Sequence, residues 1–275
     1  MPRVQVVAHR GNSLLYAEHT LEAYEAAVVD GADALECDVR LTRDGVLVCV
    51  HDRRVDRTSD GRGPVSTLEL AELAELDFRS WKAEHAFPLP LDPSDELDDV
   101  VEEPDTDHGR VLTLERLLQL VLDHERPVQL HVETKHPTRY GPLVERTLVD
   151  LLDRYGLATP PSRAESRVTV MSFAALSLRR VHGLAPSVPT VFLVERVPLR
   201  YRDGSLPSRV QAVGPSLEIL RAHPGYVERV HAAGGRVHVW TCDEPDDIDF
   251  VLGLGVDAVI SNEPRRVLRR LGRVP

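Results

Sequence analysis

Eight short apolar, β-rich runs recur along the chain with helical patterns between them. That alternation is the strongest constraint on the fold, because a strand can return parallel to its predecessor only through a crossover, which is usually a helix. The runs are 4–8, 34–39, 128–133, 168–172, 190–194, 210–213, 236–240 and 258–261. Between them, 20–30 carries Leu21, Tyr24 and Val28 on one face and ends at Gly31. Segment 113–125 places Leu114, Leu117, Leu118 and Val121 at i, i+3, i+4 and i+7, with Thr113 set to cap and Pro127 just beyond. Weaker helical patterns occupy 141–155, 174–182, 216–222, 224–233, 246–252 and 265–271. Eight strand–helix units in 275 residues predict an α/β protein, a (β/α)8 TIM barrel. A doubly wound sheet is the alternative that alternation alone leaves open.

The pattern breaks once. Asp44-Gly45 is a turn signal, and the apolar run 46–50 after it suits a short hairpin arm. A Pro- and acid-rich stretch of about 60 residues follows, a length that usually marks a functional or mobile excursion, and it is expected as an insertion on the loop face of one domain. Net charge bears on this, since nine of the eleven excess negative charges fall in residues 92–107, which hold no base. The acidity is therefore a local segment, expected as a solvated loop. No basic stripe suited to nucleic acid is present. Lysine occurs only at Lys82 and Lys135 against 31 arginines, so each marks a place where a compact ammonium is preferred to a planar fork.

Three cysteines, Cys37, Cys49 and Cys242, form no metal spacing and favour a reducing compartment. The first ten residues hold no long apolar run and strand-like sequence starts by Val4, which leads us to expect no signal peptide. No stretch approaches the roughly 18 apolar residues of a membrane span. A cytoplasmic protein without a stable membrane anchor is the expectation, and composition is silent on oligomeric state.

Several strand-like runs end in ionisable residues. Side chains alternate along a strand, so Glu36 and Asp38 share one face while Cys37 points toward the helix layer. His131, Glu133 and Lys135 share a face in the same way, and in a barrel that face is the interior at the carboxyl mouth, where such enzymes keep their chemistry. Converging carboxylates repel one another unless a cation neutralises them. A hard divalent ion, Mg²⁺ or Ca²⁺, fits oxygen ligands, whereas no cysteine cluster or HExxH spacing supports structural zinc. The competing reading of Glu36 and Asp38 is strand-end charges in surface ion pairs. Lys135 reads either as the ion partner of Glu133 or as an electrophile facing phosphate.

Of twelve histidines, His85, His108, His124, His182, His223 and His231 fall in loops or helices and are expected to be solvated. His9 and His51 each close an apolar run and precede a charged residue, Arg10 and Asp52. Beside a carboxylate cluster, such a pair suits general acid and base work near neutral pH.

At these residues the sequence resembles the glycerophosphodiester phosphodiesterase family. Residues 9–52 (HRGNSLLYAEHTLEAYEAAVVDGADALECDVRLTRDGVLVCVHD) look like its opening signature, Glu133 and Lys135 like its E-x-K strand, and 239–241 like its late tryptophan strand. The resemblance implies a single barrel domain over 1–275 with an insertion at roughly 53–110 after the second strand. It further implies one divalent cation on Glu36, Asp38 and Glu133, acid and base roles for His9 and His51, phosphate binding by Arg10 and Lys135, and Trp240 beside the glycerol pocket. The small-molecule substrate would yield glycerol 3-phosphate and an alcohol. Three places depart from the family pattern: Ala17-Glu18-His19-Thr20 replaces P-E-N-T, suggesting a looser loop; His131 replaces a small polar amide and is expected to be hydrogen-bonded in the core; and the last strand ends Ser261-Asn262-Glu263-Pro264 where an acid is frequent. The alternatives are a lysophospholipase D or sphingomyelinase D-like lipid phosphodiesterase, which wants an apolar rim or a membrane anchor, and a non-catalytic cation- and phosphate-binding barrel.

Overall fold

The computed structural model describes residues 3–85 and 108–274. The acidic segment 92–107 lies outside the described residues, as does part of the expected insertion. Nine strands are present: β1 (Gln5–His9), β2 (Ala34–Leu41), β3 (Leu47–Cys49), β4 (Gln129–Thr134), β5 (Val168–Ser172), β6 (Thr190–Val194), β7 (Ala212–Pro215), β8 (Arg236–Val239) and β9 (Ala258–Ser261). Eight of them run parallel in the order β1-β9-β8-β7-β6-β5-β4-β2, and β1 also pairs with β2. That pairing closes the sheet into a TIM barrel and excludes the doubly wound alternative. β3 is the expected hairpin arm, antiparallel to β2 with Val39 opposite Cys49.

The outer layer comprises α1 (Leu21–Asp30), α4 (Leu114–Asp123), α5 (Leu143–Arg154), α6 (Ala175–Leu184), α7 (Leu217–Ala222), α8 (Tyr226–Ala232), α9 (Pro245–Gly253) and α10 (Pro264–Arg270), with α2 (Leu70–Ala74) and α3 (Ser80–His85) on the excursion after β3. Local signals start the two helices read most clearly from sequence. The Thr20 hydroxyl accepts from the Ala23 N–H and the Thr113 hydroxyl from the Arg116 N–H, caps that contribute about 1 kcal/mol each. Leu114, Leu117, Leu118 and Val121 are buried, as their spacing requires. β7 starts and ends two residues later than the sequence pattern suggests, because pairing to β6 and β8, not the apolar run, sets its limits.

The pleat divides the core in two. Leu35, Cys37 and Val39 of β2 pack outward with Leu117, Leu118 and Leu148 of the helices. Val7, Ala34, Met171, Val191, Leu193, Ala212, Ala258 and Ile260 pack inside the barrel. All three cysteines are free and buried. No helix among the described residues is long and apolar enough to cross a membrane.

Candidate active site

Register brings the charged strand ends together. β2 and β4 pair Glu36 with His131 and Asp38 with Glu133, and β1 pairs His9 with Glu36. One carboxylate oxygen from each of Glu36, Asp38 and Glu133 lies within 4.8 Å of the other two, and all three residues are buried. Surface ion pairing is thereby ruled out for Glu36 and Asp38. Lys135 is an ion partner of Glu133, with Nζ 2.9 Å from Glu133 and 3.1 Å from Asp38, and its side chain also lines the cavity.

Electrostatics separates the three acids. Burial and then the Asp38 charge push the Glu36 carboxyl well up, and the same pair of causes lifts Glu133 to about 8 despite Lys135. Burial also works against ionised Asp38, but Lys135, His19 and Arg10 outweigh it and hold that carboxyl well below its usual range. Three buried carboxylates that face one another in this way repel as they ionise, and a cation among them relieves the repulsion. The donor set is entirely oxygen, so the residues fit a hard divalent cation.

Arg10 follows β1 in a left-handed turn, φ +57, and its backbone N–H donates to the Glu36 carboxylate at 3.1 Å. The guanidinium donates to Glu18 at 3.0 Å, and its Nε stands 3.1 Å from Asp38 in ionic contact without hydrogen-bond alignment. Gly11 makes the turn possible: at φ +83, an added Cβ would lie 2.6 Å from the Ala23 carbonyl carbon. Glu18 is gripped in turn by Arg57 at 2.7 and 2.9 Å. Burial opposes its ionisation, yet Arg57 and Arg10 bring it down to about 2.

The two imidazoles are held differently. Asn262 donates its amide N–H to Asp243 at 2.6 Å, which leaves its oxygen facing His9 Nδ1 at 2.7 Å. This fixes the proton on Nδ1 and presents Nε2 to the cavity. His51 Nδ1 lies 2.7 Å from the Asp52 carboxylate, and Arg40 clamps the His51 carbonyl at 2.7 and 3.0 Å. Burial, then Arg10, drops His9 to about 3, and burial also lowers His51. Both rings line one cavity of about 430 Å³ with Arg10, Glu36, Glu133 and Lys135. Trp240 is on its wall, its indole N–H donating to the Gly214 carbonyl at 2.7 Å.

Three sequence expectations change. The loop at 17–20 is not loose: His19, buried and at φ +62, bridges Asp38 at 2.9 Å and the Tyr24 hydroxyl at 2.7 Å. His131 is in the core but is not held by the expected hydrogen bond there. Its ring stacks on His238 at 5.6 Å, its Nδ1 has no partner, and burial lowers it to about 3. Of the histidines expected in solvent, His223 and His231 are exposed, whereas His108 is half-buried and meets Glu25 at 3.2 Å. Residues that sequence reasoning passed over are His136, tied at 2.9 Å to the buried Glu145, and Phe173 and Glu195, which complete the cavity wall. For Glu195 the available signal is its i+2 position after Leu193 at a strand end.

A parallel barrel whose mouth gathers buried carboxylates, an arginine, a lysine and two imidazoles in one cavity defines a TIM-barrel phosphoric diester hydrolase. The chain belongs to the glycerophosphoryl diester phosphodiesterase family, whose family model matches residues 9–266. It is 48% identical over 265 residues, 95% of this chain and 90% of the relative, to "Probable glycerophosphodiester phosphodiesterase 1" of Mycobacterium tuberculosis. It is 33% identical over 264 residues, 95% of this chain and 84% of the relative, to the glycerophosphodiester phosphodiesterase of Bacillus subtilis. Its fold matches that of an Oleispira antarctica phosphodiesterase solved with the product sn-glycerol-3-phosphate, with TM-score 0.80, 23% identity, 98% of this chain and 96% of that one.

Proposed function

We propose that the enzyme hydrolyses glycerophosphodiesters to glycerol 3-phosphate and an alcohol, using one divalent cation held by Glu36, Asp38 and Glu133. The observation that carries this reading is the convergence of those three buried carboxylates with His9, His51, Arg10 and Lys135 on one cavity. A bound Mg²⁺ or Ca²⁺ would supply Lewis-acid stabilisation of charge on a phosphoryl oxygen. Arg10 and Lys135, already turned into the cavity, bind the nonbridging oxygens and stabilise the charge that grows there. One imidazole takes the proton from the nucleophile and the other gives a proton to the departing alkoxide. Water as the nucleophile yields glycerol 3-phosphate directly, whereas the neighbouring glycerol hydroxyl yields a cyclic phosphate that a second attack, by water, opens to glycerol 3-phosphate. The Nδ1 contacts to Asn262 and Asp52 aim both Nε2 atoms for this work. Trp240 flanks the glycerol carbons.

A lipid substrate is the second reading, and an apolar rim favours it. Leu14, Leu15 and Tyr16 after β1, Phe173 and Leu176 after β5, and Leu199 after β6 are all exposed at the mouth. An acyl chain on the substrate glycerol would find cover there. Product analysis with glycerophosphocholine and lysophosphatidylcholine separates the readings. Release of glycerol 3-phosphate from the first supports the main one, release of choline from the second alone supports the lipid one, and no hydrolysis of any diester overturns both in favour of a binding barrel.

A further inference from the structure

Beside the active-site cavity lies a smaller cleft that carries charge of one sign. Lys135 is the wall the two share, and Arg40, Arg53 and Arg139 line the cleft together with the hydroxyl residues Ser66 and Thr138. No carboxylate among the described residues lines it, although the whole chain carries a net charge of -11. Arg40 is half-buried and gives its guanidinium to a neutral group, the His51 carbonyl, at 2.7 and 3.0 Å. Among the described residues, none of the three arginines makes an ion pair. Crowded cations without a counter-charge repel one another until an anion answers them.

The cleft is held in shape by its own contacts. Its loop between β4 and α5 is tied down at two points: His136 Nε2 lies 2.9 Å from the fully buried Glu145, and the Tyr140 hydroxyl donates to the Ser66 carbonyl at 2.6 Å. The Arg139 guanidinium rests 5.9 Å from the centroid of that Tyr140 ring. Cations fixed in this way lose little freedom on binding, and guanidinium groups match phosphate oxygens in pairs. Free space of about 20 Å³ at the floor takes one oxygen-sized group and excludes a ring or an acyl chain. In the barrel order β4 stands across from β8. With the glycerol carbons on Trp240 and the scissile phosphate on Arg10 and Lys135, the leaving alcohol is directed to the side where the cleft lies.

We propose that this cleft is a second phosphate-binding site, separate from that of the scissile phosphate, for a phosphate group borne by the leaving alcohol or free in solution. Its place beside the first phosphate rests on the phosphodiesterase reading above. The test uses the metal-loaded full chain as wild type and as the double variant Arg53→Ala, Arg139→Ala, in which both altered residues are exposed and neither takes part in the catalysis described. Values of kcat/KM are compared for glycerophosphoglycerol and bis(glycerophospho)glycerol, whose leaving alcohol bears a further phosphate group, and calorimetry counts bound inorganic phosphate. The wild type is expected to prefer the second diester. That preference should fall about tenfold in the double variant, the size of two modest ion pairs, through KM and with glycerophosphoglycerol kinetics unchanged, which assigns the site to the substrate. Equal wild-type rates on the two diesters, with one phosphate fewer bound per chain in the double variant, support the site and assign it to free phosphate. An unchanged ratio or an equal loss on both diesters, with the same number of phosphates bound, overturns the proposal while the phosphodiesterase reading stands. Hydrolysis of neither diester removes that reading, and the phosphate count alone then decides the site.

Discussion

His19 Nε2 lies 2.9 Å from Asp38 Oδ2, so an imidazole braces the one carboxylate of the acidic cluster that the surrounding charges keep ionised. The Tyr24 hydroxyl contacts the other ring nitrogen and donates to the Glu36 carbonyl at 3.1 Å, linking two neighbouring acids through the helix layer. Groups that orient metal-binding carboxylates typically account for 10- to 100-fold in affinity. His19→Ala is therefore expected to weaken Mg²⁺ or Ca²⁺ binding at least about tenfold, with partial recovery in His19→Asn. Calorimetric titration of metal-free protein checks this, and unchanged affinity in the Ala variant would show the brace to be idle.

His51 touches the carboxylate cluster only across the cavity, so its removal separates proton transfer from cation binding. His51→Ala is expected to lower kcat about 10² to 10⁴-fold and to leave the cation affinity at the wild-type value. Steady-state kinetics beside the same calorimetry reads both quantities. Wild-type kcat in this variant would take His51 out of the reaction.

Gly11 sets the turn that delivers His9 and Arg10 to the site. A methyl group there meets the Ala23 backbone at 2.6 Å and must adopt φ +83. We expect Gly11→Ala to cost about 3 kcal/mol or more, seen as a melting temperature lowered by at least about 5 °C. A melting curve that overlays the wild type would mean that the turn relaxes freely.

His238 and His131 stack inside the barrel, and burial holds His238 near 4. Both rings are uncharged in the native state and take up protons more readily when unfolded. Stability from His238 is thus fully present above about pH 6.5 and is lost as pH falls toward 4, amounting to about 2 kcal/mol between pH 7 and pH 5. His238→Leu should reduce the drop in urea stability between those two pH values by that amount. The same drop in both proteins would contradict a buried neutral ring.

Much of this was legible in the sequence because it depends on short periods. Alternation along β2 and β4 placed Glu36, Asp38 and Glu133 on one face, and the 3.6-residue spacing of Leu114, Leu117, Leu118 and Val121 located α4. What escaped depends on pairing between distant segments or on unusual backbone. Closure by β1 against β2 has no local signature, α2 and α3 are too short for a periodic pattern, and His19 reaches Asp38 only from a left-handed conformation that its residue type does not announce. The Glu145–His136 contact links a helix that reads as amphipathic to a loop, and the helical spacing of α5 gives no sign that Glu145 is buried or of its partner.

The central claim is that three buried acids hold a divalent cation on which diester hydrolysis depends. It is tested most directly by following glycerol 3-phosphate release from glycerophosphocholine before chelation, after EDTA treatment and removal, and after titrating Mg²⁺ or Ca²⁺ back. The expected result is loss of turnover on chelation and recovery that saturates at one ion per chain, with no recovery in Asp38→Asn. Full-rate hydrolysis by the chelated wild-type protein would contradict it.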